Sequence, residues 1–309
     1  MKKLFLLLFI FISLKSLAQK EVYLFSYFKG NGEDGLHLAY SHDGLKWDTL
    51  NGGKSLLKPD VGKDKLMRDP CILQKPEGDF VMVWTSGWWD KGIGLATSSD
   101  LIHWSEQQFV PVMEHEPEAK NAWAPEIVWD SKHKQYLIFW ATTIPGRHSE
   151  IKDSEREKGL NHRMYYTTTK DFKTFKPTKL FFNPDFSVID ATIIKKGRTY
   201  YMILKNENPN PPEKNLRVTT SDKIDGPYPV AVSKPITGNY WAEGPTAIQI
   251  GKYVYVYFDK YTQKKYGVIR SDDMQNWEDI SDKLQVPKGL RHGTVFKVSG
   301  KLFETLKKL

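Results

Sequence analysis

The chain has 309 residues, 40% hydrophobic and 27% charged, which is a globular composition and not a disordered one. The formal net charge is +8, but the basic residues are scattered, and without a basic stripe or a known module nucleic-acid binding is excluded. A single cysteine, Cys71, excludes a disulfide framework and a Cys-rich zinc site, while 17 Pro and 22 Gly argue for many turns and against a helical bundle.

Residues 1–18 read as a signal peptide. Lys2 and Lys3 form a positive start, residues 4–14 are an apolar run of 11, and Ser16-Leu17-Ala18 offers small residues for cleavage. Eleven residues are too few for a membrane-spanning helix, which needs about 20. No cysteine follows for a lipid anchor. The expectation is an exported protein, periplasmic or secreted, with one domain over residues 19–309.

From there a unit recurs. A strand ends in Ser or Thr, an Asp follows, and an aromatic comes a few residues on. The copies run from Ser41-His42-Asp43 to Trp47, Ser98-Ser99-Asp100 to Trp104 and Thr169-Lys170-Asp171 to Phe175. Two more run from Ser221-Asp222 to Tyr228 and from Ser271-Asp272 to Trp277. After each comes a polar residue leading into a short apolar run, at Asp69, Glu126, Asp190, Glu243 and His292. Between them lie strand-like runs such as Phe80-Val81-Met82-Val83-Trp84, and no stretch has sustained helical periodicity.

Five units of about four strands predict an all-β fold, a five-bladed β-propeller. The chain begins at what would be a second strand, residues 22–28, and its last copy supplies only a first strand from His292. The last blade is therefore expected to be closed by N- and C-terminal strands. A lectin-like β-sandwich is the alternative.

In a propeller the loops leading into first strands share one face, so Asp69, Glu126, Asp190, Glu243 and His292 are expected in a common phase around one mouth. Loops 28–35, 86–92, 144–163, 206–216 and 258–267 would rim it. Clustered carboxylates shift one another's pKa, and acids of unlike protonation are what general acid–base chemistry requires. Inverting glycoside hydrolysis needs two carboxyl groups about 6.5–9.5 Å apart. Trp88 and Trp89 sit in a mouth loop, where aromatic rings suit a sugar face. Trp47, Trp104 and Trp277 are expected in blade packing, and Cys71 as a small buried side chain.

The ordered set Arg68-Asp69-Pro70-Cys71-Ile72, Trp123-Ala124-Pro125-Glu126, Ile189-Asp190, Ala242-Glu243-Gly244-Pro245 and Arg291-His292-Gly293 resembles glycoside hydrolase family 43 over nearly all of residues 19–309. That family includes arabinofuranosidases, β-xylosidases and arabinanases. The resemblance implies Asp69 as general base, Asp190 as the group that tunes and orients the acid, and Glu243 as general acid. It implies Arg291 on a sugar hydroxyl and His292 beside a metal ion or water. Trp88, Trp89, Trp123, Glu126 and Lys205 complete the expected substrate contacts. Ala191 departs from the family's usual Pro, and Glu126 stands where Asp is also common.

The expected function is an exo-acting, inverting hydrolase that releases a terminal sugar, chiefly α-L-arabinofuranose or β-xylose, from plant-type glycans. Its partner is then an oligosaccharide or polysaccharide, with no nucleic acid and no membrane anchor. The chemistry needs no organic cofactor, and a channel Ca²⁺ is compatible with it. The alternatives are a galactose-type exo-glycosidase on the same propeller and a non-catalytic carbohydrate-binding propeller. A sialidase would need an arginine triad at the mouth, which the sequence does not place there.

Overall fold

The computed structural model describes residues 21–148, 160–208 and 211–309. The signal peptide expected at 1–18 lies outside the described residues, as do 149–159 of the 144–163 loop and 209–210 of the 206–216 loop. Five antiparallel sheets account for nearly all regular structure. The first is β4 (Arg68–Gln74), β5 (Phe80–Thr85), β6 (Ile93–Ser98) and β7 (Gln108–Val110). The second is β8 (Trp123–Asp130), β9 (Gln135–Thr143), β10 (His162–Thr169) and β11 (Lys179–Phe182). The third is β12 (Val188–Lys196), β13 (Thr199–Asn206) and β14 (Asn215–Ser221). The fourth is β15 (Glu243–Ile250), β16 (Tyr253–Lys260), β17 (Lys265–Ser271) and β18 (Glu278–Asp279). The fifth joins the two chain ends: β19 (Val295–Val298) pairs with β1 (Val22–Tyr27), followed by β2 (His37–Ser41) and β3 (Asp48–Thr49).

The central strands read as unbroken apolar runs because both faces are buried. On β5, Val81 and Val83 enter a core shared with the second blade, while Phe80, Met82 and Trp84 enter a core shared with the fifth. This is the period-two alternation of a strand, with a core on each side. Three further apolar cores lie between blades two and three, three and four, and four and five. Five blades and five interfaces make a closed ring, as expected.

The recurring Ser/Thr–Asp unit is a turn that fastens each outer edge. Ser41 Oγ donates to Asp43 Oδ1, which accepts from the backbone N–H groups of Leu45 and Lys46. Asp100 and Asp171 repeat the arrangement. In the last copy the capping residue is Asp273, one place later than the sequence suggested. The Ser221 copy has Lys223 at that place. These bonds hold Leu101, Phe172 and Met274 in the left-handed region, at φ of 65°, 58° and 65°. Trp47 Nε1 closes its turn on Gly44 O, and Trp47, Trp104 and Trp277 all pack against inter-blade cores.

Two features depart from the sequence reading. The third blade has three strands; where a fourth would lie, the backbone–backbone bonds to β14 are limited to those of the Ser233 and Ile236 N–H groups, side chains make the other bonds, and Pro229 and Pro235 offer no N–H to a ladder. A helix, α1 (Gly300–Leu306), follows β19, capped by Ser299 Oγ accepting from Leu302 N. Phe303 and Leu306 seal the core beneath the closing blade. Seven residues form barely two turns, too short for a periodic signal.

Candidate active site at the propeller mouth

The first strands of four blades carry a β-bulge at the mouth. Register shifts lie between Arg68 and Cys71, Trp123 and Glu126, Ile189 and Thr192, and Glu243 and Thr246. The second residue of each bulge is left-handed: Asp69 (φ 53°), Ala124 (47°), Asp190 (50°) and Gly244 (59°). Bulges re-aim side chains next to active sites. Pro70, Pro125 and Pro245 follow in three blades, and Ala191 occupies that place in the third.

This corrects the expectation of a common phase. Asp69 and Asp190 hold equivalent places, on the left-handed residue. Glu243 stands one residue earlier, level with Arg68, Trp123 and Ile189. Glu126 stands two residues later, level with Cys71, Thr192 and Thr246, and its side chain lies in the channel below the mouth. There it accepts from Thr192 Oγ1 at 3.1 Å and Thr294 Oγ1 at 3.5 Å. Burial, only partly offset by His292 and the channel hydroxyls, pushes its carboxyl up to about 7. Glu126 is not among the residues lining the pit, so the expected sugar contact is not supported.

Asp69, Asp190 and Glu243 do converge. They line one cavity of about 340 Å³, with Arg68, Trp88, Trp123, Lys205, Arg291 and His292 also in its wall. That volume is near the lower end of ordinary small-ligand pockets, about 300–1,000 Å³. Burial would raise Asp69, but the His292 ring at 3.2 Å, Arg68 and the Thr85 hydroxyl at 2.8 Å outweigh it and hold its carboxyl below the usual value. Thr85 is fixed in turn by accepting from Ala124 N at 2.8 Å. Asp190 is governed by burial, which raises its carboxyl to about 6 against the pull of His292 and Lys205. Its Oδ2 accepts from Gly244 N at 2.9 Å, which ties it to the residue after Glu243.

Glu243 faces two cations. Lys205 Nζ reaches Oε2 at 3.1 Å and Arg291 Nη2 reaches Oε1 at 3.3 Å. Each cation has a closer partner: Lys205 meets Glu207 at 2.6 Å and Arg291 meets Asp259 at 2.6 Å. Glu243 can therefore exchange both contacts for a ligand without stranding either charge. Burial lifts Asp259 to about 6 despite Arg291.

Burial would lower His292, but Asp69, Asp190 and Glu126 together raise it to about 9. It packs on Gly244, where a Cβ would fall 2.4 Å from its Cγ. Among the described residues no group of three or more His, Cys, Asp and Glu is arranged to hold a metal ion.

The aromatic wall is asymmetric. Trp88 lines the pit, with Arg68 stacked on its ring at 4.2 Å and Nε1 donating to Asn31 Oδ1 at 3.0 Å. Trp89, its neighbour, turns away and does not line the pit. Trp123 donates Nε1 to Trp88 O at 2.7 Å. The sequence reading missed His162, Glu207, Lys214, Trp241 and Tyr261, which also line the cavity. His162 stacks on Trp123 at 4.9 Å and is lowered by burial to about 4, so it is neutral. Glu207 joins Lys205 to the buried Lys214. His162, Glu207, Lys214 and Tyr261 sit at the far ends of second strands or the near ends of third strands and their loops, where no recurring pattern marked them, and Trp241 lies in the loop entering β15, two residues before Glu243. The position of Lys205 one place before Asn206, at the pit end of β13, was the available signal.

Comparisons with known proteins agree with this architecture. A family model described as a probable glycosyl hydrolase domain, related to glycoside hydrolase family 43, matches residues 19–304. An α-L-arabinofuranosidase of Bifidobacterium longum subsp. longum is 26% identical over 185 residues, 54% of this chain. The match covers 17% of that much longer protein. Among solved structures, an α-L-arabinofuranosidase from Lactobacillus brevis superposes with a TM-score of 0.53 at 15% identity, over 70% of this chain and 72% of its own. An exo-β-1,3-galactanase from Phanerochaete chrysosporium gives 0.53 at 15% identity, over 77% and 53%. At such identities the structural likeness shows the shared fold. With the family model spanning all five blades and the site at their mouth, the chain belongs to the family 43-related glycosyl hydrolases.

Proposed function

We propose that this protein is an exo-acting, inverting glycoside hydrolase that removes one terminal sugar from a glycan. The observation that carries it is the meeting of Asp69, Asp190 and Glu243, from three blades, in one small pit. Asp69, held ionised by His292, Arg68 and Thr85, is the base that takes a proton from the attacking water. Glu243 is the acid that protonates the leaving oxygen, once a sugar has replaced its contacts with Lys205 and Arg291. Asp190, bonded to Gly244 N, fixes the backbone beside Glu243 and sets the local charge. Arg291, kept by Asp259, is placed to meet a sugar hydroxyl. Water attacks the anomeric carbon from the Asp69 side as the bond to the leaving oxygen breaks on the Glu243 side, so the configuration inverts.

The small single-mouthed pit favours a terminal sugar over mid-chain cleavage. The match to an arabinofuranosidase favours α-L-arabinofuranose, with β-xylose next. Galactose-type substrates remain the second reading, favoured by the fold shared with an exo-β-1,3-galactanase. Export follows from the signal peptide at 1–18, and the N-terminal sequence of protein recovered outside the cytoplasm tests it. Among the described residues no helix is long and apolar enough to cross a membrane.

The test is a panel of aryl glycosides with wild type, Asp69→Asn and Glu243→Gln. Hydrolysis by wild type, lost in both variants with sugar binding retained, is the expected result. Unchanged turnover in either variant removes that residue from the mechanism. A ladder of products from a linear polysaccharide overturns exo action.

A further inference from the structure

Three aromatic rings are exposed on the first blade: Trp88 at 39%, Trp89 at 53% and Phe109 at 37%. Trp88 faces the pit. Trp89 and Phe109 line a separate groove of about 480 Å³, with Lys63, Lys91 and Glu114 among its polar residues. Pit and groove share a wall. Trp88 and Trp89 are adjacent in the chain, and the ring of Trp123, itself in the pit, lies 5.7 Å from each of theirs.

The groove is built, not left over. Buried Asp90 accepts from Ser86 Oγ at 2.7 Å and from Lys63 N at 3.1 Å, which ties the loop before β4 to the loop carrying both tryptophans. Asp64 Oδ2 accepts from Trp88 N at 3.0 Å and adds a second tie. The Phe109 ring lies on Gly92, where a Cβ would fall 2.4 Å from its Cζ, so only glycine admits it. Two aromatic faces held in place beside charged groups suit pyranose rings, whose C–H faces stack on aromatics while their hydroxyls meet polar groups.

We infer that the Trp89–Phe109 groove is the leaving-group subsite, which holds the glycan beyond the terminal sugar. The terminal residue occupies the pit, and the following rings pass over the Trp88–Trp123 rim onto Trp89 and then Phe109. The occupant is the pyranose chain of the substrate itself, because the groove adjoins the pit that holds its end across the wall formed by Trp88, Trp89 and Trp123. This inference rests on the glycosidase reading above.

The experiment compares an aryl glycoside with defined di-, tri- and tetrasaccharides of the same terminal sugar. The variants are Trp89→Ala, Phe109→Ala and Phe109→Tyr, with Leu180→Ser as a control at an exposed apolar position elsewhere. Each alanine variant is expected to raise the ratio of oligosaccharide KM to aryl-glycoside KM about two- to tenfold. Phe109→Tyr and Leu180→Ser keep the wild-type ratio. An unchanged ratio in both alanine variants overturns the inference, as does an equal loss on both substrate types. If wild type hydrolyses none of the glycans, the glycosidase reading fails. Calorimetric titration with a tetrasaccharide then judges the groove alone: weakened binding in the alanine variants supports it, and unchanged or absent binding overturns it.

Discussion

Gly244→Ala probes the joint between catalytic groups without touching a carboxylate. Gly244 has φ +59°, and a Cβ there would lie 2.4 Å from His292 Cγ and 2.7 Å from its Cβ. The left-handed backbone costs a non-glycine residue about 1–2 kcal/mol. Overpacking adds about 1–3 kcal/mol. The lower entropy of the unfolded alanine chain returns about 0.5 kcal/mol. The net loss is about 1.5–4.5 kcal/mol, or about 3–18 °C in Tm at about 2–4 °C per kcal/mol. Relief of the clash moves His292 away from Asp69 and removes the main support of its ionised form. The acid limb of kcat/KM, which reports the free enzyme's base, should therefore move to higher pH. Scanning calorimetry and a pH–rate profile read the two effects. A variant that melts within a degree or two of wild type and keeps its acid limb would refute the described contact between Gly244 and His292.

Other expectations follow from the same site. Asp69→Asn and Glu243→Gln should each lower kcat by about 10²–10⁴-fold, read on an aryl glycoside. His292 is raised from 6.5 to about 9, so its stabilisation is complete below pH 6.5 and fades as pH rises through 9, a loss of about 3 kcal/mol. Urea denaturation at pH 6 and pH 10 should show that loss in wild type and a smaller one in His292→Gln. Glu126 is raised from 4.5 to about 7, so the neutral acid favours folding at low pH and that advantage is lost as pH rises through 7. Glu126→Gln, uncharged at every pH, should flatten the stability profile between pH 5 and 8. An unchanged profile would mean that Glu126 is ionised in the folded protein. Trp88→Ala should raise KM for every substrate, since it removes the pit wall on which Arg68 rests.

The propeller was legible because its physics repeats. Each Ser/Thr–Asp turn is a local device with its own side-chain bonds, and each central strand is apolar on both faces because it borders two cores. Asp69, Asp190 and Glu243 were legible for the same reason, being polar residues at recurring strand starts. Their differing depth was not. A bulge changes where a side chain points without changing the spacing of residue types, so Glu126 read as a mouth residue although it lies in the channel. The Trp88-Trp89 pair shows the same limit: neighbours on a strand or tight loop face opposite ways, and only the fold decides which one meets the pit. Glu207 and Lys214 come together through β13 and β14, a pairing that no local motif records. Helix α1 is held by Phe303 and Leu306 against the closing blade, a tertiary contact and not a propensity.

The central claim is that Asp69 and Glu243 act on opposite sides of one anomeric carbon. Proton NMR during the first minutes of hydrolysis by wild type, before the released sugar mutarotates, tests it most directly. The account predicts that the first anomer to appear has the configuration opposite to the substrate's. A first-formed anomer of retained configuration would contradict it.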